Sequence, residues 1–253
     1  MTIQKNLAAQ GAFLFRWRSF IPLLLLVPAL MAFSDAVVFE EKYGEFIEET
    51  MVMIGLVISL TGLAVRWMTV GFVPGSTSGR NTKEQRADHL NTDGMYSIVK
   101  NPLYLGNYFA ILGVLVSVKV WWLVLIGSLA YWLYIERVIA AEEKFLIEKY
   151  GRIYNEWAEK TPIFLPDLRL WRKPAMGFSC KTVLKREYNG LMGVACAFFV
   201  SEYMIDVWFE REPLRLWLRE DWPWVAGFVI AAAVFLTLRT LKKYTRFLKV
   251  EGR

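Results

Sequence analysis

The sequence predicts an all-α, polytopic membrane protein, with about six transmembrane helices and a helical cap on the cytoplasmic side, organised as one domain over residues 1–253. Three observations carry that expectation. The 253 residues are 55% hydrophobic and their mean hydropathy is +0.32, which sets the chain apart from ordinary water-soluble domains. The apolar residues fall in blocks long enough, or nearly so, to cross ~30 Å of hydrocarbon at ~1.5 Å per helical residue. Lys and Arg gather in alternate connections between the blocks, which is the asymmetry that marks cytoplasmic loops.

The blocks read as roughly 19–38, 51–70, 103–118, 120–138, 189–208 and 223–238. Ahead of the first stand Lys5, Arg16 and Arg18 with no acid. A cleaved signal peptide competes there with a first span, but the region preceding the apolar run is long for one. The connection Glu40–Glu49 holds five Glu against Lys42 and belongs outside. Next comes a Gly- and Ser-rich polar loop, 71-GFVPGSTSGRNTKEQRADHLNTDG-94, bearing Arg80, Lys83, Arg86 and the single histidine, His89. The third block is short and needs tilt or local thinning; it joins the fourth through a tight hairpin at Lys119.

The fourth block continues past the membrane surface through 140-AAEEKFLIEKYGRIYNEWAEK-160. Phe145, Leu146, Tyr150, Ile153, Tyr154 and Trp157 recur there at helical steps, predicting an interfacial amphipathic stripe. Pro162 and Pro166 then punctuate the chain. Residues 136–188 hold eleven Lys or Arg, and the tail adds Arg239, Lys242, Lys243, Arg246, Lys249 and Arg253, so both termini are expected in the cytoplasm. A bacterial inner membrane and the endoplasmic reticulum both fit. The net charge of +6 matches anionic lipid headgroups rather than nucleic acid. Two cysteines, one in a cytoplasmic segment and one in a span, predict no disulfide. No metal-ligand spacing occurs.

The chemistry concentrates at two places. In 94-GMYSIVKNPLYLGNYF-109, Gly94 and Gly106 permit close approach to the backbone, Asn101 is a favoured N-cap, and Pro102 fits a first helical turn. Tyr96, Tyr104 and Tyr108 offer ring faces that attract sulfonium or ammonium cations. Ordinary interfacial tyrosines and a Pro-started helix account for much of the same pattern. The second place is Glu142–Glu143 just beyond the fourth block, where adjacent carboxylates need partners, solvent or a ligand. Glu202 and Asp206, one turn apart in the fifth block, read as structural or interfacial.

Taken together, 92-TDGMYSIVKNPLYLG-106, 142-EEKFLIEKYGRIYNEW-157 and 161-TPIFLP-166 resemble the integral-membrane methyltransferases, the family of isoprenylcysteine carboxyl methyltransferase and the phospholipid amine methyltransferases. The resemblance covers roughly residues 88–168. It implies S-adenosylmethionine as cofactor, with Gly94, Tyr96, Asn101, Pro102, Tyr104 and Gly106 on one side and Glu142 and Glu143 on the other. It also implies a lipid or lipidated substrate reached from the bilayer. Where the family has Arg-His-Pro, this chain has Lys100, Asn101 and Pro102. Asn101 can replace a hydrogen-bonding histidine but not a basic one.

Methyl transfer requires alignment more than proton traffic. With His89 the one histidine, an acceptor already anionic at neutral pH is favoured, such as a lipid phosphate or a prenylcysteine-type carboxylate; a phospholipid amine is the alternative. Arg137, Asn101 and His89 are the expected catalytic residues, and Arg80, Lys83 and Arg86 the expected binders of an anionic head. A transporter would place its special residues mid-membrane, and a scaffold that has lost activity would explain Asn101.

Overall fold

The computed structural model describes residues 3–17, 24–75 and 89–252. Arg80, Lys83 and Arg86 lie outside the described residues. Among the described residues the chain is helical, with no strand. The α-helices run α1 (Ile3–Trp17), α2 (Leu26–Tyr43), α3 (Glu45–Phe72), α4 (Met95–Ile98), α5 (Pro102–Ser117), α6 (Trp121–Tyr150), α7 (Arg152–Lys160), α8 (Cys180–Tyr203), α9 (Leu214–Glu220) and α10 (Trp222–Tyr244). A π-helical turn, Met204–Phe209, extends α8.

Four helices among the described residues are long and apolar enough to cross a membrane: α3, α6, α8 with its π-turn, and α10. The shorter apolar α5 stands beside them. The first block, 19–38, falls in part on residues 18–23, which lie outside the described residues; its described part is α2, which runs on past the block through Glu40, Glu41 and Lys42. The other blocks coincide with helices. Leu125, Leu129, Trp132 and Leu133 on α6, and Val229, Ile230 and Leu236 on α10, are exposed, as lipid-facing side chains are when no lipid covers them.

At 30 residues, α6 is ~45 Å long, about 15 Å more than the hydrocarbon is thick. Its last turns, with Glu142 and Glu143, therefore leave the lipid. The expected stripe does not continue on one helix, because Gly151 (φ 53°) ends α6 and starts α7 on a new axis. Tyr154 and Trp157 are buried on α7, whereas Ile153 is 67% exposed.

The most extensive helix packing among the described residues joins α3 to α5. A Cβ on Gly62 would lie 2.5 Å from the Gly106 carbonyl, and one on Gly55 would lie 2.5 Å from the Gly113 carbonyl. Both glycine pairs are spaced by seven residues, so two turns of each helix present bare backbone to the other. Ser59 Oγ seals the contact by donating to the Ala110 carbonyl at 2.8 Å. Small residues of this kind permit the close approach on which helix association in lipid rests. Beyond it, α8 and α10 stack through Phe199 and Phe228, with ring centroids 4.5 Å apart. The α5–α6 turn closes on α2 and the π-turn through Ala32, Phe33, Ala36, Leu123 and Ile205.

A Gly62→Ala substitution should lower the melting temperature in detergent, by the ~1–3 kcal/mol of overpacking or more, because the obstructing atoms are backbone. Gly193→Ala, where nothing lies within 4 Å, should be neutral or slightly stabilising. Equal melting of the two variants would remove the α3–α5 contact from its central place.

Candidate active site

The site is built first from the approach to α5. Gly94 adopts φ 59° and ψ −131°, which a side chain would strain. Its N–H donates to the Arg172 carbonyl at 3.0 Å. Its carbonyl accepts from Ser97 N–H at 3.0 Å and from Ser97 Oγ–H at 2.7 Å. Ser97 Oγ in turn accepts the Arg172 N–H at 2.9 Å. Further along, the Trp157 indole N–H donates to the Tyr96 carbonyl at 3.1 Å, Lys100 N–H to the Pro162 carbonyl at 2.8 Å, and Asp167 N–H to the Ile98 carbonyl at 3.0 Å. Residues 157–172 are thus laid across residues 94–101 and tied to them by backbone bonds.

Asn101 stands at the N-cap position of α5 but makes no side-chain cap bond. Its Nδ2 donates instead to the Ile163 carbonyl at 3.3 Å, so the amide fastens the same strip. Pro102 takes the first helical position and is buried, where its missing N–H costs no intrahelical bond.

The acidic wall comes from the end of α6. Tyr104 Oη–H donates to Glu142 Oε1 at 2.6 Å, a short charge-assisted bond. Glu143 stands 4.0 Å from Lys100 Nζ and accepts a hydrogen bond from Tyr154 of α7. Tyr131 Oη–H donates to the Tyr104 carbonyl at 2.7 Å, fixing α6 against α5 one layer deeper. The aromatic and acidic walls therefore face and touch each other.

Electrostatics follow from this closeness. Burial, and next the charge of Glu142, push the Tyr96 phenol above its ordinary range, while Arg186 and Arg66 pull the other way. Burial, then the charge and hydrogen bond of Glu143, raise Tyr154 likewise. Both phenols therefore stay protonated at neutral pH. The two carboxylates, edged by Tyr96, Tyr104 and Tyr154, form an anionic, ring-lined set of acceptors just outside the hydrocarbon, suited to a cation with a flat moiety.

Gly94, Tyr96, Asn101, Pro102, Tyr104, Glu142 and Glu143 are thus gathered on adjoining elements. Gly106 serves differently from the expectation. A Cβ there would lie 2.6 Å from Arg66 Cγ and 2.7 Å from the Gly62 carbonyl, so its bareness admits α3 rather than a ligand. Arg137 is also corrected. Its Nε donates to Gln10 Oε1 at 2.8 Å and its Nη1 to the Leu133 carbonyl, so it faces α1 and not the Tyr104–Glu142 pair. His89 is exposed in the approach to α4.

One group escaped the sequence reading. Arg66 of α3 grips Glu187 of α8 through two bonds, Nε to Oε2 at 2.7 Å and Nη2 to Oε1 at 2.9 Å. Its Nη1 donates to Asn107 Oδ1 at 2.6 Å. Glu187 is 3% exposed. The available signal was an arginine inside a long apolar helix, which seldom stands without a partner.

Residues 50–153 match the phospholipid methyltransferase family. The chain is 33% identical over 119 residues to the cobalt-zinc-cadmium resistance protein CzcN of Cupriavidus metallidurans, covering 46% of this chain and 52% of that one. It is 31% identical over 84 residues to the protein-S-isoprenylcysteine O-methyltransferase of Schizosaccharomyces pombe, covering 33% of this chain and 36% of the enzyme. With the nickel-cobalt-cadmium resistance protein NccN of Alcaligenes xylosoxydans xylosoxydans it shares 28% identity over 162 residues, 58% of this chain and 76% of that one. The chain spans about half the length of the first of these relatives and about a third of the second. No solved structure matches.

Removing Glu187 strands a largely buried guanidinium, so Glu187→Ala should cost ~3–5 kcal/mol of stability, read as resistance to unfolding by denaturing detergent. The double variant Arg66→Met, Glu187→Leu should recover most of that loss. Failure of the double variant to recover would mean that the charges themselves, not their pairing, hold α3 to α8.

Proposed function

We propose that the chain, whose residues 50–153 match the phospholipid methyltransferase family, transfers a methyl group from S-adenosylmethionine to a membrane-embedded lipid at the α5–α6 cluster. The observation that carries this reading is the 2.6 Å bond from Tyr104 to Glu142. It joins the aromatic and acidic walls inside the matched segment, beside Glu143 and Tyr96. Both walls sit where a water-soluble cofactor and a lipid acceptor meet. The distribution of Lys and Arg assigns that end to the cytoplasm.

The residues gathered there fit the cofactor. Glu142 and Glu143 suit its ammonium group, and the faces of Tyr96 and Tyr104 suit its sulfonium. Lys100, and the N–H groups near the start of α5, suit its carboxylate. Bound there, the cofactor supplies a methyl on positively charged sulfur, the C–S electron pair returning to sulfur as the bond to the acceptor forms. The chain's part is alignment. Asn101 and the backbone bonds to residues 162–167 hold the approach to α5 still, and Tyr131 keeps Tyr104 aimed at α6.

The acceptor we favour is anionic, a lipid phosphate or carboxylate, since it needs no base and Asn101 supplies none. Arg80, Lys83 and Arg86 are the residues proposed to bind its head. An amine acceptor must lose a proton first, a task that would fall to a carboxylate.

The test is to incubate the purified protein in lipid nanodiscs with methyl-labelled cofactor and a lipid extract. Label should enter the lipid fraction. Tyr104→Phe and Glu142→Gln should each weaken cofactor binding roughly ten- to hundredfold, the worth of one hydrogen bond to a charged group. Normal binding by both variants would displace the site. Label released by mild base identifies a carboxyl ester, whereas label retained on an amine headgroup rejects the anionic acceptor.

A further inference from the structure

The opposite end of the bundle holds a second cluster of ionisable groups for which methyl transfer has no use. Asp206 and Glu187 lie 19 residues apart along α8 and its π-turn, ~28 Å at helical rise, so this cluster is remote from the site above. It gathers three carboxylates from the end of α8 and the loop before α10. One oxygen from each of Asp206, Glu212 and Asp221 lies within 4.8 Å of the others.

Three carboxylates so close repel one another, and the fold nevertheless braces them together. Glu212 N–H donates to the Asp206 carbonyl at 3.0 Å, and Asp221 N–H to the Trp217 carbonyl at 2.8 Å. The indole N–H of Trp217, itself buried, donates to Asp206 Oδ2 at 2.9 Å. That bond orients the Asp206 carboxylate and commits one of its oxygens. Three oxygens within 4.8 Å of one another need to draw in by only a few tenths of an ångström to hold a cation whose oxygen ligands lie at ~2.4 Å.

A separate observation points the same way. Glu202 stands one helical turn before Asp206, is 4% exposed, and its Oε1 has no hydrogen-bond partner. Lys119, Asp206, Glu48 and Asp221 are all near enough to act on its charge, so it stands beside the same acidic cluster. Lys119 is the one cation of that group, and Glu48 holds its ammonium in an ion pair. A buried carboxylate oxygen left without a donor is expensive. Water bound to a metal ion beside Asp206 would supply that donor while the ion offsets the carboxylate repulsion.

We propose that Asp206, Glu212 and Asp221 bind a divalent cation of the hard, oxygen-preferring class, with calcium the best match in size, and that Glu202 accepts a hydrogen bond from one of its water ligands. The ligand set has no sulfur or imidazole, which disfavours softer metals such as zinc. Carboxylate ligands delivered from the end of α8 and from both sides of α9 would make the ion a clasp between the last two spans.

The full chain, purified in detergent and stripped with a chelator, is titrated with calcium chloride alone by calorimetry, and its melting temperature is followed in parallel. One calcium per chain should bind with a dissociation constant of about 1 mM or tighter, the range of exposed carboxylate sites, and melting should rise with calcium. Glu212→Gln and Asp221→Asn should each weaken binding at least tenfold. Both keep side-chain volume and lie at the loop, so recovery of either in folded form suffices for the comparison. Glu143→Gln, at the other end of the bundle, should bind calcium as the wild type does. The proposal is overturned if the wild type takes up no calcium, if the loop variants bind it unchanged, if Glu143→Gln abolishes binding, or if zinc is bound far more tightly than calcium.

Discussion

In lipid the hydrophobic effect does not press one helix against another, so this fold depends on how closely α3 and α5 can come. Gly55, Gly62, Gly106 and Gly113 remove the side chains that would hold the two backbones apart. The consequences spread outward. With no Cβ on Gly106, the stem of Arg66 passes directly over α5, which brings its guanidinium to Asn107 and Glu187. The arginine cannot be left unpaired at that depth, so α8 is drawn to α3 at a fixed height. Two residues before Gly106, about 200° around the helix, Tyr104 points to α6 and meets Glu142. A single helix thus shows bare backbone to one neighbour and a hydrogen-bonding ring to the other.

Much of this was legible because its signals are local. A run of apolar residues, a proline at the first turn of α5, and two acids just past the length of a span can each be read within one window. The Glu142–Glu143 pair lies outside the hydrocarbon simply because α6 is longer than the membrane is thick. What escaped reading depends on partners far along the chain. Arg66 and Glu187 are 121 residues apart, and nothing near either names the other. Gly106 has the same composition whether it makes room for a ligand or for a helix, and only the position of α3 decides. Arg137 looked available at the end of a span, yet α1 carries Gln10 to it.

The two ends of the bundle settle their buried charge differently. At the α5–α6 end, carboxylates meet phenols and a lysine. At the far end, one oxygen from each of Asp206, Glu212 and Asp221 lies within 4.8 Å of the others, and the buried Glu202 has an Oε1 without a hydrogen-bond partner. An excess of acceptors in a half-buried place must be met by protons, water or a metal ion.

Asn101 shows how a departure from a family pattern can leave the architecture unharmed. The residue at this position faces the Ile163 carbonyl, and its amide nitrogen donates there. Any side chain with an N–H of similar reach, histidine included, can make that bond, so the anchoring of residues 157–172 over α5 does not depend on a ring. What an amide cannot do is accept and keep a proton. On the proposed reading this restricts the acceptor and not the fold. A nucleophile that arrives as an anion loses nothing from the exchange, whereas a protonated amine would have to find its base in Glu142 or Glu143. Those carboxylates are already occupied by Tyr104 and by Tyr154 and Lys100. Recruiting one as a base would break the contact that joins the two walls, and for that reason the anionic acceptor is the more economical partner for this chain.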